Sequence, residues 1–352
     1  MFLVVILHVL SHGGVLSVST GINEKIASLI DTFALCAVDV FAIISGFVSY
    51  SDSAKKFKSA GFIKLWLQVL TYSFGITLIV FIVAPESISI KTLIRSFFPI
   101  ASNHYWYFSC YAALLLLTPW INHFIKSLDN IRLTQVVIAL ISIFSIYYVF
   151  VARLAPTDPF VVNYGYSVIW LTVLYVIGVW MKRCNIVNKI KTKYALLAIV
   201  ASVLFTWVCK KCLPEPLKTG CFSSYTSPTI LLISISYVVI FARMKFSKIM
   251  TKIIAFLSPA AFGIYLIHEQ QCVRGHFISG KFEWIATLSP WLVPVAVIVS
   301  AAAVFVVCLS IERVRLSLFK VFRLNKLTEM LGAWIDKRIN LVRKSIEKWS
   351  VN

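Results

Sequence analysis

Leu29–Tyr50 reads Leu-Ile-Asp-Thr-Phe-Ala-Leu-Cys-Ala-Val-Asp-Val-Phe-Ala-Ile-Ile-Ser-Gly-Phe-Val-Ser-Tyr. It is apolar around its whole circumference. It is also long enough for a bilayer, whose hydrocarbon core takes about 20 helical residues. Nine further stretches of this kind are legible: Met1–Val18, Ile63–Ala84, Tyr105–Ile121, Thr134–Leu154, Tyr166–Met181, Tyr194–Cys209, Thr229–Ala242, Ile253–Gln271 and Trp291–Ile311. The composition agrees. Hydrophobic residues make up 59% of the 352, and charged residues only 14%. Soluble chains run at roughly 45–50% and 25%. Alternating β-barrel patterning is absent, as is a fixed-period repeat. The expected fold is therefore an all-α polytopic membrane protein of about ten transmembrane helices with a polar cavity between them.

The net charge of +20 would suggest nucleic acid in a soluble protein. Here the charges fall between the apolar runs and alternate. Lys126 and Arg132, the cluster Lys182 to Lys193, and Arg243 to Lys252 lie on one side with Lys55, Lys56 and Lys58. The opposite connections carry only Lys25, Lys91, Arg95, Lys210, Lys211, Lys218, Arg274 and Lys281. Basic loops stay in the cytoplasm, so both termini are expected inside an integral cytoplasmic-membrane protein, with no nucleic-acid partner. Met1 is followed at once by Phe2–Leu7 without a basic flank, so a secretory signal is not expected. The first span reads as one whose true start lies upstream. Residues 1–312 are expected to form the membrane domain. Residues 313–352 alternate Leu316, Phe319, Phe322, Leu327, Leu331 and Trp334 with Arg and Lys, and read as an amphipathic tail on the inner leaflet.

Ionisable groups inside a span cost several kcal/mol, so each is a site candidate. His8 lies inside the first span with His12 four residues on, which places both on one helix face. Asp39 is central in the second span. His104, Tyr105 and Trp106 open the fourth, and Arg153 closes the fifth. His268 and Glu269 lie in the ninth. If that helix starts at Ser258 and Pro259, His268 sits about 15 Å in; if it starts at Ile253, His268 nears the outer face. Each group also has a plain structural reading. Asp39 pairs with Arg153 as a strut, His104 and Trp106 form an interfacial belt, and the inner lysines serve only orientation. Cys209-x-x-Cys212 with Cys221 lacks a fourth soft ligand, and Cys212 and Cys221 share a loop in which they could bridge. The six histidines form no close metal cluster in sequence, so no metal is expected.

Four segments together resemble the bacterial membrane acyltransferase 3 family, in its membrane-only branch. Ala37-Val38-Asp39-Val40-Phe41-Ala42-Ile43-Ile44-Ser45-Gly46-Phe47 is similar to its second-helix motif. Leu3–His8 resembles its first helix, which ends in a functional His. Tyr105-Trp106-Tyr107-Phe108 through Pro119 resembles its Trp-centred fourth span. Phe262-Gly263-Ile264-Tyr265-Leu266-Ile267-His268 resembles its Gly-Ile-Tyr-Leu-Ile-His motif. The resemblance implies transfer of an acyl group, usually acetyl, from cytoplasmic acyl-coenzyme A to a hydroxyl of an extracytoplasmic glycan. Two departures stand out. The family's Arg about eleven residues before the first-helix His would precede Met1. Its Arg-x-x-x-Arg opening the third span falls on Lys64 and Gln68.

The expected roles follow. His8 is the general base, with Asp39 or Glu269 orienting its ring, and His268, Tyr105 or Trp106 is the oxyanion donor. His12, His104, Tyr105, Trp106 and Arg153 form the acceptor surface. Lys55, Lys56, Lys58 and Lys64 hold the coenzyme A phosphates. A secondary transporter of a sugar or anion would use the same intramembrane His and Asp, but usually shows internal repeats. A non-catalytic partner in glycan assembly would not need His8 inside a span.

Overall fold

The computed structural model describes residues 1–51, 59–149, 151, 157–213 and 222–349. Lys55, Lys56, Lys58, Arg153 and Cys221 lie outside these residues, and with them the expected lysine cluster, the Asp39–Arg153 strut and the Cys212–Cys221 bridge. Among the described residues the chain is helical without strands. The main helices are α1 (Phe2–Leu10), α2 (Gly21–Ala34), α3 (Ala37–Ser49), α4 (Ser59–Val83), α5 (Ile90–Ser96), α6 (Trp106–Ser127) and α7 (Asn130–Ile141). They continue with α8 (Val168–Arg183), α9 (Thr192–Cys212), α10 (Pro228–Arg243), α11 (Lys248–Leu257), α12 (Ala261–His268), α13 (Val293–Val321) and α14 (Leu324–Trp349).

Among the described residues, seven rods are long and apolar enough to cross a membrane: Gly21–Ser49, Ser59–Val83, Trp106–Ser127, Asn130–Tyr147, Thr192–Cys212, Lys248–His268 and Val293–Val321. The three other expected spans coincide with shorter helices: Phe2–Val18, Val168–Arg183 and Pro228–Arg243. Several boundaries move. The second expected span begins at Gly21 rather than Leu29. The last runs on to Val321, past the expected span end at Ile311. Side-chain oxygens cap several starts by accepting backbone N–H groups: Asp129 from Arg132 (2.7 Å), Ser167 from Trp170 (3.2 Å) and Ser247 from Met250 (3.2 Å).

Two glycines set the centre of the bundle. Gly46 on α3 lies against the Tyr175 carbonyl of α8, and Gly178 on α8 lies against the Ile43 carbonyl of α3. Any Cβ there would overlap backbone, so the helices meet main chain to main chain. This buries α8 almost throughout, from Trp170 to Met181. A second apolar cluster joins α1, α4, α6, α12 and α13 through Leu7, Leu10, Val69, Phe108, Ile264, Leu266 and Val297. Apolar residues also face outward in numbers, such as Ile79, Ile82 and Val83 of α4 and Val299, Val306 and Val307 of α13. A helix needs no solvent for its backbone, so this exterior suits lipid.

The rod Lys248–His268 is broken where Pro259 lacks an N–H to donate. A 3-10 turn over Ser258–Ala260 separates α11 from α12. The rod starts at Lys248, earlier than either sequence alternative, so His268 is its last residue. Counted from the turn at Ser258, the helix carries His268 about 15 Å along; counted from Lys248, His268 ends the rod. The tail is the helix α14. Its Thr328 is buried and its Gly332 lies over Ala60. Its Asp336 Oδ1 accepts from Ser59 Oγ (2.6 Å) and from the Ser59 N–H (3.2 Å). The tail is thus docked on the start of α4.

Candidate functional site: a histidine–glutamate cluster on an aromatic cavity

His8 projects from the last turn of α1, and His268 with Glu269 ends α12. Packing of both helices on α13 brings positions 260 apart in sequence into contact. His8 Nδ1 lies 2.8 Å from His268 Nε2 and 3.1 Å from Glu269 Oε1. His12 Nε2 lies 3.4 Å from the same carboxylate oxygen. Arg274 Nη1 donates to the other oxygen, Oε2, over 3.2 Å. The His8 ring centroid is 4.9 Å from those of both His12 and His268.

The backbone holds this cluster in place. Gly280 N–H donates to the His12 carbonyl and Phe282 N–H to the Gly13 carbonyl, each over 3.0 Å. Gly14 takes φ +89°, which admits this turn beside the Glu283 side chain. At the other end, Gln270 Oε1 accepts from the N–H groups of Cys272 (2.7 Å) and Val273 (3.0 Å). Its amide donates to Thr77 of α4 over 3.0 Å.

The tautomers follow from the partners. His268 Nδ1 is 2.6 Å from the Ile264 carbonyl oxygen, which can only accept. That nitrogen therefore carries the proton, and the neutral ring keeps its lone pair on Nε2. His8 Nδ1 must then donate to His268, which leaves the His8 lone pair on Nε2, across the ring. His8 also lines an open-mouthed pocket with Val4, Leu7, Phe41, Trp106, Tyr107, Tyr225 and Tyr265. Trp106 packs against Tyr166 and Tyr225, at 4.4 Å and 5.9 Å between centroids.

The remaining candidates are distributed as follows. Asp39 is buried but apart from the histidines. Its Oδ1 accepts from Trp170 Nε1 of α8 over 3.1 Å, and its Oδ2 has no hydrogen-bond partner. Glu269, not Asp39, is the carboxylate beside His8, because α3 turns Asp39 toward α8. Tyr105 is buried and donates its hydroxyl proton to the Leu266 carbonyl (3.1 Å), so it braces α12. His104 binds Ser73 Oγ at 3.1 Å, on α4 and away from the cavity. Burial, and next the Arg95 charge, lower its pKa. Lys64 is exposed. Its expected companion Gln68 is spent internally, donating to Glu312 over 3.1 Å.

The expectation that the histidines form no close cluster is corrected. Donor atoms of His8, His12 and Glu269 lie within 4.8 Å of one another. The i, i+4 pair was visible in sequence, and Glu269 was one of two carboxylates expected beside His8; the convergence of both histidines on one Glu269 oxygen was not. Also unforeseen is a buried network around Glu312, beside Gly263 of α12. Glu312 accepts from Arg315 over 2.5 and 2.8 Å, from Gln68, and from the Tyr72 hydroxyl. An acid and a base three apart at the end of the tenth span were the available signal.

No curated protein and no solved structure matches the chain. A family model described as an acyltransferase domain matches residues 1–313, which takes in the whole histidine cluster, the cavity and, but for the end of the last, the apolar rods of a multi-pass membrane protein. The chain belongs to the acyltransferase 3 family.

Proposed function

We propose that the protein is a membrane O-acyltransferase. It moves an acyl group, acetyl in the simplest case, from cytoplasmic acyl-coenzyme A to a hydroxyl of an extracytoplasmic polysaccharide or glycolipid sugar. The observation that carries this reading is His8 on the cavity wall, its Nδ1 proton taken by His268 and its Nε2 lone pair left over.

A sugar hydroxyl is a poor nucleophile at neutral pH. His8 Nε2 accepts its proton as the oxygen attacks the thioester carbonyl. A C–O bond forms, the oxyanion collapses and the C–S bond breaks. The proton on His8 Nε2 then leaves with the sulfur as the coenzyme A thiol. While His8 is an imidazolium, Glu269 supplies the compensating charge 3.1 Å away. Arg274 positions that carboxylate. Trp106 and Tyr265 are the cavity's N–H and O–H donors for the oxyanion. Coenzyme A is held at the Lys64 end of α4 together with Lys55, Lys56 and Lys58, and its thioester arm reaches along the bundle to His8.

The topology in this reading is ten crossings with both termini cytoplasmic. Val168–Arg183 rises only about 24 Å, short of the roughly 30 Å hydrocarbon core. It is shielded by its neighbours, so its ends need not meet lipid. The test is acyl transfer in sealed vesicles containing the purified chain. Acyl-coenzyme A outside and a glycan acceptor inside should give free thiol outside and acylated glycan inside. Movement of unmodified sugar without thiol release would instead indicate a transporter.

A further inference from the structure

We propose that His8, His12 and Glu269 form a binding site for a divalent transition-metal ion of the zinc class, and that its occupancy blocks transfer. The second half rests on the function proposed above; the first does not.

The donor set is borderline-soft nitrogen and carboxylate oxygen, the chemistry zinc takes. Bonds of roughly 2.0–2.1 Å in a tetrahedron put neighbouring donors about 3.3–3.4 Å apart. Glu269 Oε1 lies 3.1 Å from His8 Nδ1 and 3.4 Å from His12 Nε2. Both contacts of that oxygen thus have the spacing of two ligands on one ion, and all three donors lie within 4.8 Å of one another. Glu269 Oε1 is buried and receives no hydrogen bond of acceptable geometry, although two imidazole nitrogens stand beside it. A buried carboxylate oxygen is rarely left so, and a cation among the three would satisfy it. The outer contacts suit a ligand set. Arg274 fixes Glu269 through Oε2, and Gly280 N–H ties the backbone of His12. Entry is through His12, whose side chain is 39% exposed. The Arg274 charge opposes a dication, which favours a reversible site over a permanent one.

Binding would act through the tautomer. A neutral imidazole has one lone pair. An ion on His8 Nδ1 takes it there, and the displaced Nδ1 proton is relocated to Nε2 through water. The His8–His268 bond is lost. The nitrogen that should accept the sugar proton becomes an N–H donor, and no base remains.

The test uses the full chain, purified without a histidine tag, stripped with chelator and held in nanodiscs. Cobalt(II) is the probe because tetrahedral nitrogen and oxygen ligation gives it visible absorption far stronger than, and at longer wavelength from, that of the octahedral aqua ion. One equivalent should produce that absorption in the wild type, zinc should displace it, and His12→Asn and Glu269→Gln should abolish it. Zinc should suppress coenzyme A release at least tenfold in the wild type, reversed by chelator, and much less in His12→Asn relative to that variant's own zinc-free rate. Absence of cobalt absorption in the wild type, or its persistence in both variants, would overturn the site whatever the transfer assay gives. Cobalt and zinc binding without loss of rate would overturn the block alone. Binding in a chain that never transfers acyl groups would leave the metal site standing and defeat the catalytic reading.

Discussion

Glu312→Met should be among the most destabilising single changes in the molecule. Glu312 is fully buried on α13 and balances Arg315, itself buried, through contacts of 2.5 and 2.8 Å. It also accepts from Gln68 and from Tyr72 on α4. Removing the carboxylate leaves the Arg315 guanidinium buried and unpaired. Breaking one partner of a buried pair costs about 3–5 kcal/mol. Removing both charges costs much less, because neither ion is then held out of water without a partner. Glu312→Met combined with Arg315→Met should therefore recover at least half of the loss. Full recovery is not expected, since Tyr72 and Gln68 keep unsatisfied polar groups worth about 1–3 kcal/mol each. The assay is unfolding in mixed micelles, titrated with denaturing detergent and followed by tryptophan fluorescence. A single variant losing under about 1 kcal/mol, or a double variant no better than Glu312→Met, would refute the account of this network.

Gly178→Val should prevent accumulation of folded protein, because its side chain would meet the Ile43 carbonyl of α3; normal yield and a monodisperse elution profile would count against main-chain contact there. For His104 the folded pKa is lowered from 6.5 by burial and by Arg95, so the unfolded chain binds its proton more readily. Its contribution to stability is complete above about pH 6.5 and is lost as the pH falls from there toward the folded value. The stability difference between wild type and His104→Asn should shrink over that window, and a difference independent of pH between about 7.5 and 5 would contradict this. In a background freed of reactive thiols, an impermeant reagent outside the cell should label Ser87→Cys and miss Ser247→Cys, both positions being exposed on the protein; the reverse pattern would invert the orientation.

The apolar runs made the rods readable, since a bilayer demands length and hydrophobicity that the sequence displays directly. The ends were less legible. The break at Pro259 hid a rod beginning at Lys248, and the one carrying Val293 continues to Val321 because Glu312 and Arg315 neutralise each other inside the bundle. The first helix and the Gly-Ile-Tyr-Leu-Ile-His segment pointed to His8 and His268. That they touch depends on α1 and α12 packing on α13, which no local pattern encodes. Glu269 and Asp39 were equal candidates from sequence. Only the rotation of α3 toward Trp170 separates them. The aromatic wall of Tyr107, Tyr225 and Tyr265 was indistinguishable from core until the cavity placed it beside His8.

The central claim is that His8 accepts the proton of the sugar hydroxyl, and the rate of His8→Gln tests it most directly. Glutamine keeps a polar, hydrogen-bonding side chain but takes no proton near neutral pH. Single-turnover transfer from acyl-coenzyme A, measured in vesicles with matched amounts of folded protein, should fall by about 10²–10⁴-fold. The small residual rate should also lose the wild type's decline on the acid side, which marks protonation of the base. Transfer by His8→Gln within a few-fold of the wild type, with an unchanged pH profile, would contradict the account.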